Sequence, residues 1–193
     1  MMETPFPKSM SFAKKYDRLL EIVEASDTMG ILINADPDSM ASAMALKRIF
    51  WKKARRVMIY RVNSIKRADN RAFVKFLTVD QKHIRQLKRS AIRKWALLDS
   101  QPNHHRAFMD YQYNIIIDHH PITDHVSADF LDIQEDYGAN SSIMTEYLKA
   151  GKIKPSPKLA TALFYGIKTD THNFVRATIH HDMDAFKYLY RFT

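Results

Sequence analysis

The sequence of 193 residues contains no cysteine and only four glycines. Without cysteine the chain has no disulfides, no thiolate metal ligands and no cysteine nucleophile, which fits a reducing compartment. The low glycine content and the 11% of aromatic residues exclude collagen-like and extended disordered proteins. No apolar run approaches the roughly 20 residues of a membrane-spanning helix, and the amino terminus lacks the apolar stretch of a secretory signal. We therefore expect a cytoplasmic globular protein without membrane contact.

Positive charge is concentrated in one part of the chain. Residues 47–94, called here the basic segment, hold 17 Lys and Arg residues and only two acids, Asp69 and Asp80, a net charge of +15. Since the whole chain carries +9, the remainder carries −6. This asymmetry predicts a polyanionic partner on one face and acidic, metal-binding segments elsewhere. The alternative is a solvated basic surface that only favours solubility.

The hydrophobic pattern alternates between short apolar runs and helical spacing. It predicts strands at 30–35, 57–60, 95–98 and 114–117 and helices at 14–28, 40–50, 67–77, 140–150, 157–168 and 181–191. Asp38 or Ser39 is the expected N-cap of the second helix, and Gly166 is expected to break the fifth. Alternating strands and helices favour an α/β fold with a mainly parallel sheet flanked by helices. Without a repeat or a linker, residues 1–193 are expected to form a single domain.

Acids and histidines follow several of these predicted strands. Asp36 and Asp38 come after the first strand, Asp99 after the third, and the run Asp118-His119-His120 after the fourth. Carboxyl ends of parallel strands meet at one edge of a sheet, where ligands bind in open α/β folds. Each piece alone is more often a turn or a helix cap. Their joint occurrence, with Asp170 as a further candidate, indicates a metal site rich in carboxylates.

Five stretches of the sequence then resemble the motifs of the DHH phosphoesterase family, in the family's order and approximate spacing across about 30–190. Residues 33–43 resemble the first motif, 97–102 the second, and 116–121 the namesake motif. Residues 138–142 are similar to the serine-bearing stretch and 165–171 to the last motif. The family includes RecJ exonucleases, nanoRNases that also cleave phosphoadenosine phosphate, cyclic-dinucleotide phosphodiesterases and family II pyrophosphatases.

The resemblance implies a site for two divalent ions, usually Mn²⁺, with Mg²⁺ as the other choice. One ion would be held by Asp36 and Asp99, and the other by Asp38, Asp99, His119 and Asp170. Two ions that share a bridging carboxylate can activate a water molecule and neutralise charge on a phosphoryl group. Carboxylates with one or two imidazoles suit these metals.

The resemblance also assigns roles around the metals. Asp118 would orient a histidine and His120 would donate to the substrate phosphate, so both are the predicted catalytic residues. Ser141, Ser142 and Arg176 are the predicted substrate-binding residues. For the serines the competing role is capping of a helix, and for Arg176 it is a solvated or salt-bridged surface position.

Two features depart from the family pattern. Leu32 stands where many members have a histidine that ligates the first metal, and the family's smaller C-terminal substrate-binding domain is absent from these residues. Three hypotheses therefore remain. The first is a manganese-dependent phosphodiesterase or phosphatase acting on short RNA or DNA oligonucleotides or small nucleotides. The second is a binding module for nucleotides or RNA with weakened metals, and the third is a pyrophosphatase. Homodimer formation is left open.

Overall fold

The computed structural model describes residues 9–87, 92–122, 124–175 and 180–193. Its strands form one six-stranded sheet in the order β3-β2-β1-β4-β5-β6, and every neighbouring pair is parallel. The strands are β1 (Thr28–Ile33), β2 (Arg56–Arg61), β3 (Gln81–His83), β4 (Lys94–Leu98), β5 (Ile115–Asp118) and β6 (Phe130–Ile133). The α/β fold with a parallel sheet flanked by helices is therefore confirmed.

All six predicted helices are present, although the first ends at Glu21 and not at residue 28, which already belongs to β1. They are α1 (Phe12–Glu21), α2 (Pro37–Ile49), α3 (Ala68–Leu77), α4 (Asn140–Ala150), α5 (Pro157–Asp170) and α6 (His180–Tyr190). Short 3-10 turns occur at Ile84–Gln86, Pro102–His104 and Arg106–Phe108. Within the described ranges, no helix has the length and apolar character needed to cross a membrane.

The two faces of the sheet are covered differently. Odd-numbered β1 residues such as Ile31 and Ile33 pack against a layer to which all six described helices contribute. Leu32 faces the other side, in a second apolar cluster with Leu97 and Ile116 that is closed by loops and 3-10 turns. Because the strand order reverses between β1 and β4, the connections diverge there and leave a crevice at the carboxyl ends of the strands.

Helix α2 begins three residues earlier than predicted, at Pro37 instead of residue 40. The Asp36 carboxylate accepts the backbone N–H of Ser39 at 2.8 Å, and the Ser39 hydroxyl accepts the N–H of Asp36 at 3.0 Å. Asp36 is thus the N-cap of a capping box, and Pro37 occupies the first helical turn, where its missing N–H costs nothing. The expectation that Asp38 or Ser39 caps this helix was wrong.

Gly166 lies inside α5 and does not break it. A Cβ atom there would lie 2.5 Å from the Ser141 hydroxyl oxygen and 3.1 Å from the Asp38 Cα. The glycine therefore serves close packing of α5 on α2 and α4, because a side chain would force the three helices apart. The predicted break was wrong, and the helix continues to Asp170 at the crevice.

Candidate active site

Residues from four elements meet at the carboxyl edge of β1, β4 and β5. Asp36 and Asp38 lie at the start of α2, Asp99 follows β4, Asp118 ends β5, and Asp170 ends α5. These residues are far apart in the chain: Asp38 and Asp99 are separated by 61 positions, and Asp99 and Asp170 by 71. The sheet topology thus assembles the predicted acids at one rim, as parallel strands require.

His119 stands between two of the acids. Its Nε2 lies 3.2 Å from Asp99 Oδ1 and 3.3 Å from Asp170 Oδ2. Its Nδ1 lies 3.1 Å from the backbone carbonyl oxygen of Tyr137, which can only accept a hydrogen bond. Nδ1 therefore carries the proton in the neutral ring, and the lone pair of Nε2 points at the carboxylates.

Two buried atoms at this point have unmet bonding capacity. Asp99 Oδ1 and His119 Nε2 are buried, and neither has a hydrogen-bond partner among the described residues. With the neutral ring protonated at Nδ1 and Asp99 ionised, the two atoms present lone pairs to each other 3.2 Å apart. A divalent cation bound by oxygen and imidazole nitrogen satisfies both, so the residues present fit the metal that the family motifs imply.

Further potential ligand atoms surround this pair. One oxygen or nitrogen each from Asp38, His119 and Asp170 lies within 4.8 Å of the others, and the same holds for Asp99, His119 and His120. Asp36 completes the set of acids, with one carboxylate oxygen used in capping α2. The five predicted metal ligands are therefore neighbours, while their binding of metal stays a prediction.

Burial and crowding of negative charge perturb these acids. Burial, with the nearby Asp170 carboxylate, raises the pKa of Asp38 to about 7. Burial, with the charges of Asp38 and Asp36, raises the pKa of Asp99 well above its usual value. Several carboxylates held together in a desolvated site repel one another when ionised, and bound cations would relieve that cost.

Asp38 is fixed from the far end of the chain. Its Oδ2 accepts the backbone N–H of Asn140 and its Oδ1 accepts that of Ser141, each at 2.7 Å. These are the first N–H groups of α4, which no carbonyl inside the helix can satisfy. The Asp38 carboxylate therefore caps α4 and is held rigidly at the rim, with one lone pair on each oxygen still available.

Asp99 adopts a left-handed backbone conformation, with φ of 57°. Among non-glycine residues, Asp and Asn tolerate this region best. Its backbone N–H donates to the carbonyl oxygen of Ile117 at 3.0 Å, which ties the end of β4 to β5. The unusual conformation thus turns the chain at the point where Asp99 enters the site, a pattern common at functional residues.

The namesake motif is organised around the Asp118 carboxylate, which is completely buried. Asp118 Oδ1 accepts a hydrogen bond from His120 Nδ1 at 2.8 Å, and Oδ2 accepts one from Gln101 Nε2 at 2.8 Å. Burial raises the pKa of Asp118, but the bonds from His120 and Gln101 outweigh it and leave that pKa below its usual value. The same bond raises the pKa of His120, whose side chain is 45% exposed.

Gln101 is a positioning residue that the sequence did not reveal. Its buried side-chain amide also reaches the carbonyl oxygens of His120 at 3.0 Å and Pro121 at 3.2 Å. It thereby holds the loop after β5 to the loop after β4. The one sequence signal was its place two residues after Asp99. His104 joins the same group, with its ring 5.4 Å from that of His120, while the ring of His105 contacts that of Phe108 in a tilted arrangement.

The predicted substrate-binding residues are placed differently from the metal ligands. Ser141 and Ser142 are fully buried. The Ser142 hydroxyl donates to the Asp182 carboxylate at 2.6 Å, and the Ser141 hydroxyl lies 3.5 Å from the Asp38 carbonyl oxygen. Their hydroxyls thus form internal bonds, so the structure does not favour direct contact with substrate. Arg176 lies outside the described residues.

The basic segment does not lie on one end of the sheet. β2 and β3 form one edge, so Arg61 and Arg67 lie near the carboxyl ends of the strands. Lys52 and Arg55 precede β2 and Arg56 begins it, so these three residues lie at the opposite end. A continuous block in the sequence is therefore divided between the rim and the far side of the sheet.

Comparison with known proteins agrees with this arrangement. Residues 30–167 match the sequence profile of the DHH family, N-terminal domain. An uncharacterized protein of Methanocaldococcus jannaschii is 36% identical over 157 residues, which are 81% of this chain and 33% of that protein. The chain thus spans about a third of the length of this relative.

Two crystal structures share the fold at low sequence identity. A Methanococcus jannaschii protein proposed to be a family II inorganic pyrophosphatase superposes with a TM-score of 0.66 and 19% identity, over 86% of this chain and 56% of that one. An exopolyphosphatase-related protein from Bacteroides fragilis superposes with a TM-score of 0.75 and 15% identity, over 96% and 58%. With the motif residues at one rim, the profile match establishes that the chain belongs to the DHH family and that residues 30–167 correspond to its N-terminal domain.

Proposed function

We propose that this chain is a divalent-metal-dependent phosphoesterase that hydrolyses phosphoester bonds in short oligonucleotides or small nucleotides. The observation that carries the proposal is the pair Asp99 Oδ1 and His119 Nε2, two buried atoms 3.2 Å apart for which the described part of the chain offers no hydrogen-bond partner. Such a pair is a poor structural feature without a cation and a good ligand set with one.

The acids would hold two Mn²⁺ or Mg²⁺ ions, with Asp99 shared between them. Asp36 would serve the first ion, and Asp38, His119 and Asp170 the second. When bound, such ions neutralise charge on the phosphoryl group and make a hydroxide available near neutral pH. Asp38 needs no rearrangement for this role, since the α4 backbone already fixes its carboxylate.

The namesake residues would act on the substrate. His120 is half-exposed, and the Asp118 carboxylate keeps its Nδ1 proton in place. The hydrogen bond to Asp118 raises the pKa of His120 and so favours the ring protonated on both nitrogens. In that form Nε2–H can be presented to a phosphate oxygen, where charge develops during hydrolysis. Gln101 would fix Asp118 in the orientation that this donor requires.

A panel of substrates tests the proposal. Purified protein is titrated with Mn²⁺ in the presence of a short RNA, phosphoadenosine phosphate or pyrophosphate, and product release is measured. We expect cleavage of the RNA or the nucleotide, lost by at least about a hundredfold in Asp99→Asn, the order of loss for a group that stabilises transition-state charge. Asp184→Asn on the exposed face of α6 is the matched control and keeps the activity. Cleavage of pyrophosphate alone would contradict the substrate class.

Leu32 supports a second candidate, a nucleotide- or RNA-binding module with weakened metals. Its side chain is fully buried in the apolar cluster with Leu97 and Ile116 and offers no ligand. One carboxylate oxygen of Asp36 already accepts the Ser39 N–H in the cap of α2, so the first ion would have few protein ligands. Tight nucleotide binding without hydrolysis at saturating Mn²⁺ would favour this candidate over the enzyme.

A further inference from the structure

An exposed tryptophan stands at the end of α2 that is remote from the acids. Trp51 is 58% exposed. The Arg48 guanidinium lies 4.8 Å and the Lys52 ammonium 4.7 Å from the centroid of its ring. These cation–π contacts hold a large aromatic side chain at the surface among positive charges.

A groove leads away from this tryptophan. A cavity of about 530 Å³ is lined by Trp51 and Arg48 and has an apolar floor that includes Met44 and Leu159. A second cavity of about 300 Å³ is lined by Arg56 and Lys82. The two cavities adjoin, because Lys47, Ile59 and Asp80 line both.

The charges along the groove favour an anionic ligand. Asp80 is the acid that lines it, and the Lys47 ammonium neutralises its carboxylate at 3.0 Å. Arg48, Arg56 and Lys82 form no ion pair within the described part of the chain. An aromatic platform, an apolar floor and unpaired cations in one groove match the chemistry of a base joined to phosphates, whereas an acidic peptide would use only the cations.

This groove is separate from the candidate active site. Helix α2 has 13 residues, with Asp36 at its start and Trp51 just beyond its end. At 1.5 Å per residue the two ends are about 20 Å apart. A ligand on Trp51 therefore does not touch the acids, and a role for the groove does not depend on the proposed hydrolysis.

We propose that the groove from Trp51 to Lys82 binds single-stranded nucleic acid. A base stacks on the Trp51 ring, with the Lys52 ammonium moving from the ring to a phosphate. The following phosphates pair with Arg56 and Lys82. Stacking accepts any base, so the site holds a strand without reading its sequence.

Binding is measured in EDTA, so that the outcome is independent of metal-dependent hydrolysis. The chain has two tryptophans, and Trp95→Phe leaves Trp51 as the one fluorescent indole. This variant is titrated with an oligothymidylate of about ten nucleotides, with thymidine monophosphate and with oligoglutamate. The anisotropy of a labelled oligothymidylate, measured with the unsubstituted chain, gives the same affinity without the Trp95 substitution.

We expect the oligothymidylate to quench Trp51 fluorescence and to bind more tightly than either other probe. Trp51→Ala should weaken binding at least about fivefold, since stacking on an aromatic ring is worth that factor or more per base. Trp51→Phe should retain most of the affinity. Tyr190→Ala, which removes another exposed aromatic side chain, should have no effect.

Salt dependence tests the phosphate contacts. Each neutralised phosphate of a single strand contributes a slope of roughly −0.7 to log K against log salt. Arg56→Gln with Lys82→Gln should therefore reduce the slope by about 1.4, while Lys187→Gln on α6 leaves it unchanged. Equal affinity of Trp51→Ala and the parent chain, or equally tight binding of thymidine monophosphate or oligoglutamate, would overturn the proposal.

Discussion

The Asp38 carboxylate and the backbone N–H of Ser141 are 103 positions apart in the chain and 2.7 Å apart in space. Through this bond and its neighbour from Asn140, one acid both caps α4 and faces the rim. A capping carboxylate stabilises the exposed N–H groups at a helix start. The structure of the helical layer and the geometry of the candidate metal site therefore depend on the same side chain.

Loss of the shared acid should remove metal binding. Asp99→Ala deletes the carboxylate that is proposed to bridge the two ions, so we expect both to be lost. Isothermal titration with Mn²⁺ would show two sites in the parent chain and in Asp184→Asn, and none of comparable affinity in Asp99→Ala. Two tightly bound ions in Asp99→Ala would rule out the bridging role.

In the metal-free protein, Asp38 and Asp99 should lower the free energy of unfolding as pH rises. Carboxylates whose pKa is lowered by folding have the opposite effect. Burial raises the pKa values of Asp38 and Asp99 in the folded state, so the folded chain binds more protons than the unfolded chain above the ordinary pKa of about 3.9. This contribution to stability is present at low pH and is lost as pH rises from about 4 to 7.

Added Mn²⁺ should reverse that loss, since it binds the ionised carboxylates. Urea unfolding in EDTA and in Mn²⁺, at pH 5.5 and 7.5, measures the difference. We expect the gain in unfolding midpoint on adding Mn²⁺ to be clearly larger at pH 7.5. An equal gain at both pH values would show that these acids are not the ligands.

Gln101→Leu should destabilise the chain and disturb the namesake motif. The substitution removes the amide that donates to Asp118 Oδ2, so this buried carboxylate oxygen loses its hydrogen bond from Gln101. We expect the free energy of unfolding to fall by about 1–3 kcal/mol. Urea unfolding measures that cost, with Gln112→Leu at an exposed position as control. A positioning role further predicts a lower kcat with little change in KM, because His120 loses its fixed orientation. A purely structural role would leave kcat of the folded fraction unchanged.

Gly166→Ala should separate helices that hold the site. The new Cβ would meet Ser141 Oγ at 2.5 Å and the Asp38 Cα at 3.1 Å. Overpacking of this kind costs about 1–3 kcal/mol, more than the gain of roughly 1 kcal/mol from replacing a helical glycine. We expect lower stability and weaker Mn²⁺ binding. Thr161→Ala, at an exposed position of the same helix, should be neutral, and a stabilised Gly166→Ala would show that the helices adjust freely.

The sequence alone determined the fold class and most of its elements. Four of the six strands followed from short continuous apolar runs, because strands buried on both faces are apolar throughout. All six helices followed from apolar residues at helical spacing. The acids at the ends of strands also followed, since parallel topology brings those ends to one edge. The family motifs added the expected metal ligands, and the family assignment was confirmed.

Two strands escaped prediction for physical reasons. β3 has only three residues, all polar, at the edge of the sheet, so it carries no hydrophobic period. β6 has four residues, and its buried Asp132 interrupts the apolar run. The Lys15 ammonium and the Tyr147 hydroxyl satisfy that carboxylate from distant helices, which no local pattern indicates.

Tertiary structure alone decided how the chemistry-bearing residues are used. The N–H groups that bind the Asp38 carboxylate belong to a helix about 100 residues later in the chain. A glycine is needed at position 166 because a side chain there would collide with Ser141. The basic segment is continuous in the sequence, yet α2 carries the chain about 20 Å across the sheet, so Trp51 and its cations lie far from the acids. Sequence patterns report local periodicity and charge, whereas these relationships depend on which distant surfaces pack together.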